Sequence, residues 1–219
     1  MLEVRGLTKQ FGALRASDGI DFDVAEGETH AVIGPNGAGK TTFIGQLAGN
    51  LRPDSGTVRF AGADITAFPA PRRARLGLAR SFQITSVYPD FSVLQNVALA
   101  IQAHAGHSFR FWRDARSDPA LIEPAKKILN DLGLAERSQV LAGNLAHGEQ
   151  RQLEVAIALA TAPRLLLLDE PMAGMGIEES RRMIALLASL KRRHTIILVS
   201  TETRCSGSPT ASRCWSTAA

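Results

Sequence analysis

The chain has 219 residues, enough for one substantial core with a lobe attached. Hydrophobic residues at 45% and charged residues at 21% are the proportions of an ordinary globular protein, and no uninterrupted apolar run approaches the ~20 residues of a bilayer span. The formal charge of +4 is small and scattered, which argues against a nucleic-acid groove, and both cysteines, Cys205 and Cys214, fall near the C-terminus, so no disulfide or metal framework is implied.

The opening, MLEVRGLTKQ, lacks the basic-then-apolar order of a secretory signal, so the folded part is expected to stay in the cytoplasm. Residues 1–33 alternate short apolar stretches with turns, and Glu26-Gly27-Glu28 reads as a hairpin turn before a strand at Thr29–Ile33. After Gly39, apolar Phe43, Ile44, Leu47 and Ala48 have helical spacing that ends at Gly49-Asn50. A turn at Pro53-Asp54 leads into another strand. From about Val93 to Ala160 the period becomes helical in VLQNVALAIQA, PALIEPAKKILNDLGL and GEQRQLEVAIALA. The unbroken apolar runs LLLL before Asp169 and IILV at 196–199 suit parallel strands covered on both faces, with the helix EESRRMIALLASLKRR between them. Strand, helix, strand in this order predicts a doubly wound α/β core.

The stretch GPNGAGKT, Gly34 to Thr41, fits G-x-x-x-x-G-K-[ST] between a strand and a helix. Gly34, Gly37 and Gly39 let the backbone curl, so that successive N–H groups converge on phosphate oxygens at the positive end of the following helix, and Gly34, Pro35, Asn36, Gly37, Ala38, Gly39, Lys40, Thr41 and Thr42 are the expected nucleotide-binding residues. Lys40 is then placed to bridge the β and γ phosphates of ATP, and the Thr41 hydroxyl to ligate Mg²⁺. Asp169, at the end of the LLLL run, is the expected acidic partner of that metal, and Glu170 the expected general base for an attacking water.

With these motifs go LTKQFG at 7–12, RSFQ at 80–83, NLAHGEQRQLEVAIALA at 144–160 and DEPMAGM at 169–175. Together they resemble the nucleotide-binding subunits of ABC transporters, and within them the branched-chain amino acid importer type, from Leu2 to about Val199. The resemblance implies an α/β fold: a P-loop NTPase (RecA-like) core, with an N-terminal antiparallel β subdomain and a helical subdomain inserted at about 84–160. It also implies that Phe11 stacks on adenine and that Gln83 reaches Mg²⁺ and the attacking water. LAHGEQ, with Gly148, Glu149 and Gln150, would cap the ATP of an opposite subunit. The implied partners are a second ATP-binding subunit, identical or not, transmembrane permease subunits and, indirectly, a periplasmic binding protein, at the cytoplasmic face of the inner membrane. The family pattern commonly has Ser where this chain has Ala146, and an acidic or amide residue where it has Gly176. Phe109, Phe111 and Trp112 stand among arginines in HSFRFWRD and read as packing of the helical lobe.

The resemblance stops at Val199. The family pattern continues with Glu-His, whose histidine positions the attacking water, whereas Ser200 and Thr201 stand here and no histidine follows. When residues 199–218 are back-translated with suitable synonymous codons and read from the third base, they become EHGDAVFRLADRVSVLVYG, which restores the pair, a helix and a strand. Residues 200–219 are therefore expected to be an out-of-frame, poorly ordered tail that leaves a sheet edge uncovered. Two alternatives to a working importer ATPase follow: an ATP-binding module impaired in hydrolysis, or an ATPase of DNA repair or translation, which the absence of a long coiled coil or a second cassette argues against.

Overall fold

The computed structural model describes residues 1–81, 87–105, 118–191 and 194–201, and the backbone of 212–214. It divides into two compact units, one of residues 1–80, 164–171 and 187–219, the other of 81–163 and 172–186.

The first unit holds two sheets. β1 (Leu2–Phe11) and β2 (Leu14–Val24) pair antiparallel, with Phe11 opposite Leu14 at the turn. β4 (Ser55–Phe60) lies along the other edge of β1, and β5 (Ala63–Asp64) closes the order β2-β1-β4-β5. Leu2 and Val4 are buried while Glu3 and Arg5, which alternate with them, are exposed, the pattern of a sheet with one face on the core.

The second sheet is parallel: β6 (Leu78–Arg80), β7 (Leu165–Asp169), β8 (Thr195–Ser200), β3 (Thr29–Ile33) and β9 (Ser212–Cys214), side by side in that order. Every residue of β7 and β8 is buried, as expected for strands covered on both faces. Between the sheets runs α1 (Lys40–Ala48), whose Phe43, Ile44 and Leu47 are fully buried in one core with Leu2, Phe60 and Ile197. α1 stops where the sequence indicates, at Gly49, whose φ of 81° suits a residue without a Cβ.

Its end is held from outside. Arg73, in α2 (Ala70–Arg75) and 1% exposed, donates from Nη1 to the Gln46 and Leu47 carbonyls at 2.7 and 2.8 Å, from Nε to Phe68 O and from Nη2 to Thr66 O. A cation suits the negative end of a helix. Burial lowers the Arg73 pKa to about 10.

The second unit contains α3 (Val93–Ala105), α4 (Pro119–Asp131), α5 (His147–Ala160) and the first turns of α6 (Ile177–Leu190). Asp118 caps α4 by accepting from Ala120 N at 3.0 Å.

Two expectations change. The Glu26–Glu28 turn does not make a hairpin, because β2 belongs to the antiparallel sheet and β3 to the parallel one. Ile196 N donates to Glu28 O at 2.9 Å, so the turn carries the chain from one sheet into the other. The outer edge of β3 is not bare either, since Ser212–Cys214 pairs with Ala31–Ile33. The remainder of the expected tail, with Cys205, lies outside the described residues, as do Gln83, Phe109, Phe111 and Trp112.

Candidate functional site

The glycine loop leaves β3 at the carboxyl end of the parallel sheet, where doubly wound folds bind ligands. Gly34 N donates to Ser200 O, which fastens the start of the loop to β8, and Ala38 N donates to Pro35 O. Gly37 and Gly39 both have φ of 83°. Gly39 precedes α1 as a cap without a side chain, and the first turn of α1 carries no acidic residue. The opening amides of α1 therefore have no helical carbonyl to bond, and they face a loop of exposed Pro35, Asn36 and Gly37.

Lys40 is 5% exposed. Its Nζ donates to Gly34 O at 2.7 Å and Pro35 O at 2.8 Å, so the ammonium lies folded back on the loop it follows. Both acceptors are neutral, and among the described residues no carboxylate comes within ion-pair distance of it. Thr41 is exposed and Thr42 half-buried.

β7 stands next but one to β3, roughly 10 Å away at ordinary strand spacing. Asp169 is level with Val199 of β8, and Val199 with Val32 of β3, so the carboxylate sits level with the start of the loop. Its side chain is 1% exposed. Oδ2 accepts from Arg80 Nη2 at 2.9 Å, while Oδ1 has no hydrogen-bond partner among the described residues. A buried carboxylate oxygen left over in this way suits a hydrated divalent cation, so the residues present fit Mg²⁺. Glu170 follows with φ of 48°, uncommon for a non-glycine residue, and its N–H donates to Val199 O at 2.9 Å. Backbone strain of this kind concentrates at functional sites.

Phe11, 48% exposed, stands at the β1–β2 turn with Lys9 Nζ 5.6 Å from its ring centroid. An exposed aromatic ring offers a surface on which a flat ligand can stack. β2 returns from that turn to the loop: the Ala16 carbonyl abuts Gly39, and Ser17 Oγ donates to Gln46 Oε1 of α1 at 2.9 Å.

In the second unit, Ala146 begins α5 and offers no hydroxyl. Glu149 supplies one half of a capping arrangement, Oε2 accepting from Ala146 N and Oε1 from Arg137 Nε. Gln150 Nε2 donates to Leu145 O. Gly148 is buried beside Glu179 of α6. A Cβ at Gly148 would lie 2.8 Å from Glu179 Oε1, while Oε2 accepts from Gly176 N at 3.0 Å. His147 lies against Gly174, its Cε1 3.2 Å from where a Cβ would stand. Arg80 and Glu179 were not among the residues singled out from the sequence. No motif marks Glu179, and Arg80 was visible only as the first letter of RSFQ.

Residues 17–173 match the family model described as ABC transporter. The high-affinity branched-chain amino acid transport ATP-binding protein BraF of Pseudomonas aeruginosa is 37% identical over 204 residues, covering 91% of this chain and 80% of its own. LivG of Escherichia coli, described in the same terms, is 34% identical over 211 residues, covering 91% and 81%. Among solved structures, the ADP conformation of MJ1267, an ATP-binding cassette of an ABC transporter, superimposes with a TM-score of 0.81 at 29% identity, covering 92% of this chain and 81% of that one. The dimeric post-hydrolysis cassette MJ0796, bound to ADP and Pi, shares the fold with a TM-score of 0.78 at 20% identity, over 94% and 90%.

Proposed function

This chain belongs to the ABC transporter family of ATP-binding proteins, and on that premise we propose that it powers uptake of branched-chain or related amino acids from the cytoplasmic face of a membrane. It is a P-loop ATPase and a nucleotide-binding subunit homologous to BraF and LivG. Among its described residues no helix is long and apolar enough to cross a membrane. As the transport ATP-binding relatives imply, the partners in this reading are permease subunits. A periplasmic binding protein would deliver the solute to them.

The observation that carries the reading is the glycine loop: helix-end amides without acceptors, and a buried lysine whose charge faces only neutral carbonyls. Both are satisfied at once by a polyphosphate. The stretch from Gly34 to Thr42 would wrap the β phosphate, with the amides at the start of α1 donating to it, and Lys40 would turn from the Gly34 and Pro35 carbonyls to the phosphate oxygens. Phe11 stacks on the adenine. Thr41 and the free Oδ1 of Asp169 would hold Mg²⁺ together with Gln83, and the metal supplies neutralisation of charge developing on the γ phosphate. Glu170 takes the proton of the attacking water. Gly148, Glu149 and Gln150 of one subunit complete the site of a second, so turnover requires a dimer.

Binding of ATP to the purified chain, with and without Lys40→Ala, tests this. The expected result is ATP binding by the parent and a loss of at least about tenfold in the variant, a typical effect of removing a charge-assisted contact. A parent that ignores millimolar magnesium–ATP would sink the reading. A second reading has its own observation: β8 ends at Ser200 and Thr201 follows, where the family pattern has Glu-His. That chain would bind ATP and turn it over slowly, and the ratio of turnover to affinity separates the two readings.

A further inference from the structure

Arg80 and Asp169 form a buried ion pair that is only half made. Their side chains are 12% and 1% exposed. A guanidinium and a carboxylate commonly meet fork to fork, using two donors and both carboxylate oxygens. Here one contact exists, Nη2 to Oδ2 at 2.9 Å, and Arg80 Nε and Asp169 Oδ1 are both buried without hydrogen-bond partners among the described residues. A forked pair would have consumed the oxygen that the end-on pair leaves open.

The sheet explains the geometry. β6 lies beside β7 in parallel register with Arg80 opposite Leu167, so Asp169 is the next residue along β7 on the same face. That step is roughly 6.6 Å along the strand, which a long side chain spans and a short one does not. Among the described residues Arg80 is also the one cation within ion-pair distance of Asp169. The contact fixes the direction of a carboxylate that is otherwise unpartnered among the described residues.

From this geometry we propose that Arg80 is a positioning residue for the metal: it holds Asp169 by one oxygen, so that the other is presented to Mg²⁺ with the nucleotide. The inference rests on the nucleotide-binding reading given above. Arg80 touches neither nucleotide nor metal, and acts through Asp169 alone. It is also the last residue of β6.

The test is a Mg²⁺ titration of ATP binding for the full chain, Arg80→Gln and Arg80→Lys, each also measured in EDTA. Partners that orient a metal-ligating carboxylate typically contribute 10- to 100-fold to metal affinity, so Arg80→Gln should raise the half-saturating Mg²⁺ about tenfold or more while EDTA affinity stays within about twofold. Because the contact is a single N–H, Arg80→Lys should restore the Mg²⁺ requirement to within about threefold of the parent. In an Asp169→Asn background, Arg80→Gln should add nothing. An unchanged or lowered Mg²⁺ requirement in Arg80→Gln overturns the proposal, as does a parallel loss of binding in EDTA, which would mean a purely structural role. Should Arg80→Gln fail to fold, Arg80→Met keeps the stem without the donor and is held to the same outcomes. A parent that does not bind ATP defeats the nucleotide reading instead, and is recognised before any variant is compared.

Discussion

A Cβ on Gly39 would stand 2.0 Å from the Ala16 carbonyl oxygen, a backbone atom of the returning strand β2. The β1–β2 turn that carries Phe11 and the loop that carries Lys40 are thus joined through a contact only glycine permits. Gly39→Ala must relieve both that collision and a φ of 83°, the latter alone costing about 1–2 kcal/mol. We expect it to lower unfolding free energy by more than about 2 kcal/mol in a denaturant titration and to abolish ATP binding. At Gly37, which has the same φ but open space around its would-be Cβ, Ala should cost only the strain.

Arg73 ties the end of α1 to the loop before α2 through four carbonyls. Charged hydrogen bonds contribute more than neutral ones, but burial of the guanidinium offsets part of the gain. Arg73→Met should therefore cost roughly 3 kcal/mol of stability, and Arg73→Lys should recover only part, since one ammonium cannot reach four acceptors. Chemical denaturation midpoints measure both.

Acid should loosen the antiparallel sheet first. Asp54 accepts from Lys9 Nζ and Gln10 N, both at 2.7 Å, and these hold its carboxyl below the usual range. Hydrogen bonds with Thr66 do the same for Asp64. A carboxylate with a lowered folded pKa contributes stability that is full above its unfolded value, about 4, and is lost as pH falls through the folded one. Stability should thus be flat at neutral pH and fall below about pH 4, and Asp54→Asn should lower the plateau while flattening the fall. Thermal midpoints between pH 7 and pH 3 read this directly; a fall as steep in Asp54→Asn would remove Asp54 from the account.

Thr201 tests the tail. A hydroxyl cannot do what an imidazole does, and positioned acid–base groups contribute about 10²-fold or more to rate. Thr201→His should raise ATP turnover by about that factor and leave ATP affinity within about threefold, since Lys40 and Phe11 are untouched. Equal turnover in the two chains would refute the role given to this position. Resequencing the gene across codon 200 is the companion measurement; a confirmed frame would refute an out-of-frame tail.

Much of this molecule is local in origin. Gly34 to Thr41 must be contiguous for successive amides to face one phosphate, so the loop is complete in the string GPNGAGKT. Phe43, Ile44 and Leu47 mark one helical face and Gly49 its end, and the apolar runs Leu165–Leu168 of β7 and Ile196–Val199 of β8 read as strands covered on both sides. Neighbours in sequence decide these features, through backbone freedom and side-chain periodicity.

Other features depend on which distant strands lie side by side. The turn at 26–28 looks like a hairpin until β3 is seen to pair with β8, which is also why Ser200 O can accept from Gly34 N. Glu179 is one of several surface-like glutamates in the string, and only the packing of α6 brings its carboxylate against Gly148. Arg80 and Asp169 are 89 positions apart, and pairing of β6 with β7 brings them into contact. Residue types along the chain determined where the glycine loop, its lysine and the strand-end carboxylate fall. The tertiary structure decided which carboxylate oxygen stays free, because that depends on strand order and on the single nitrogen that reaches across.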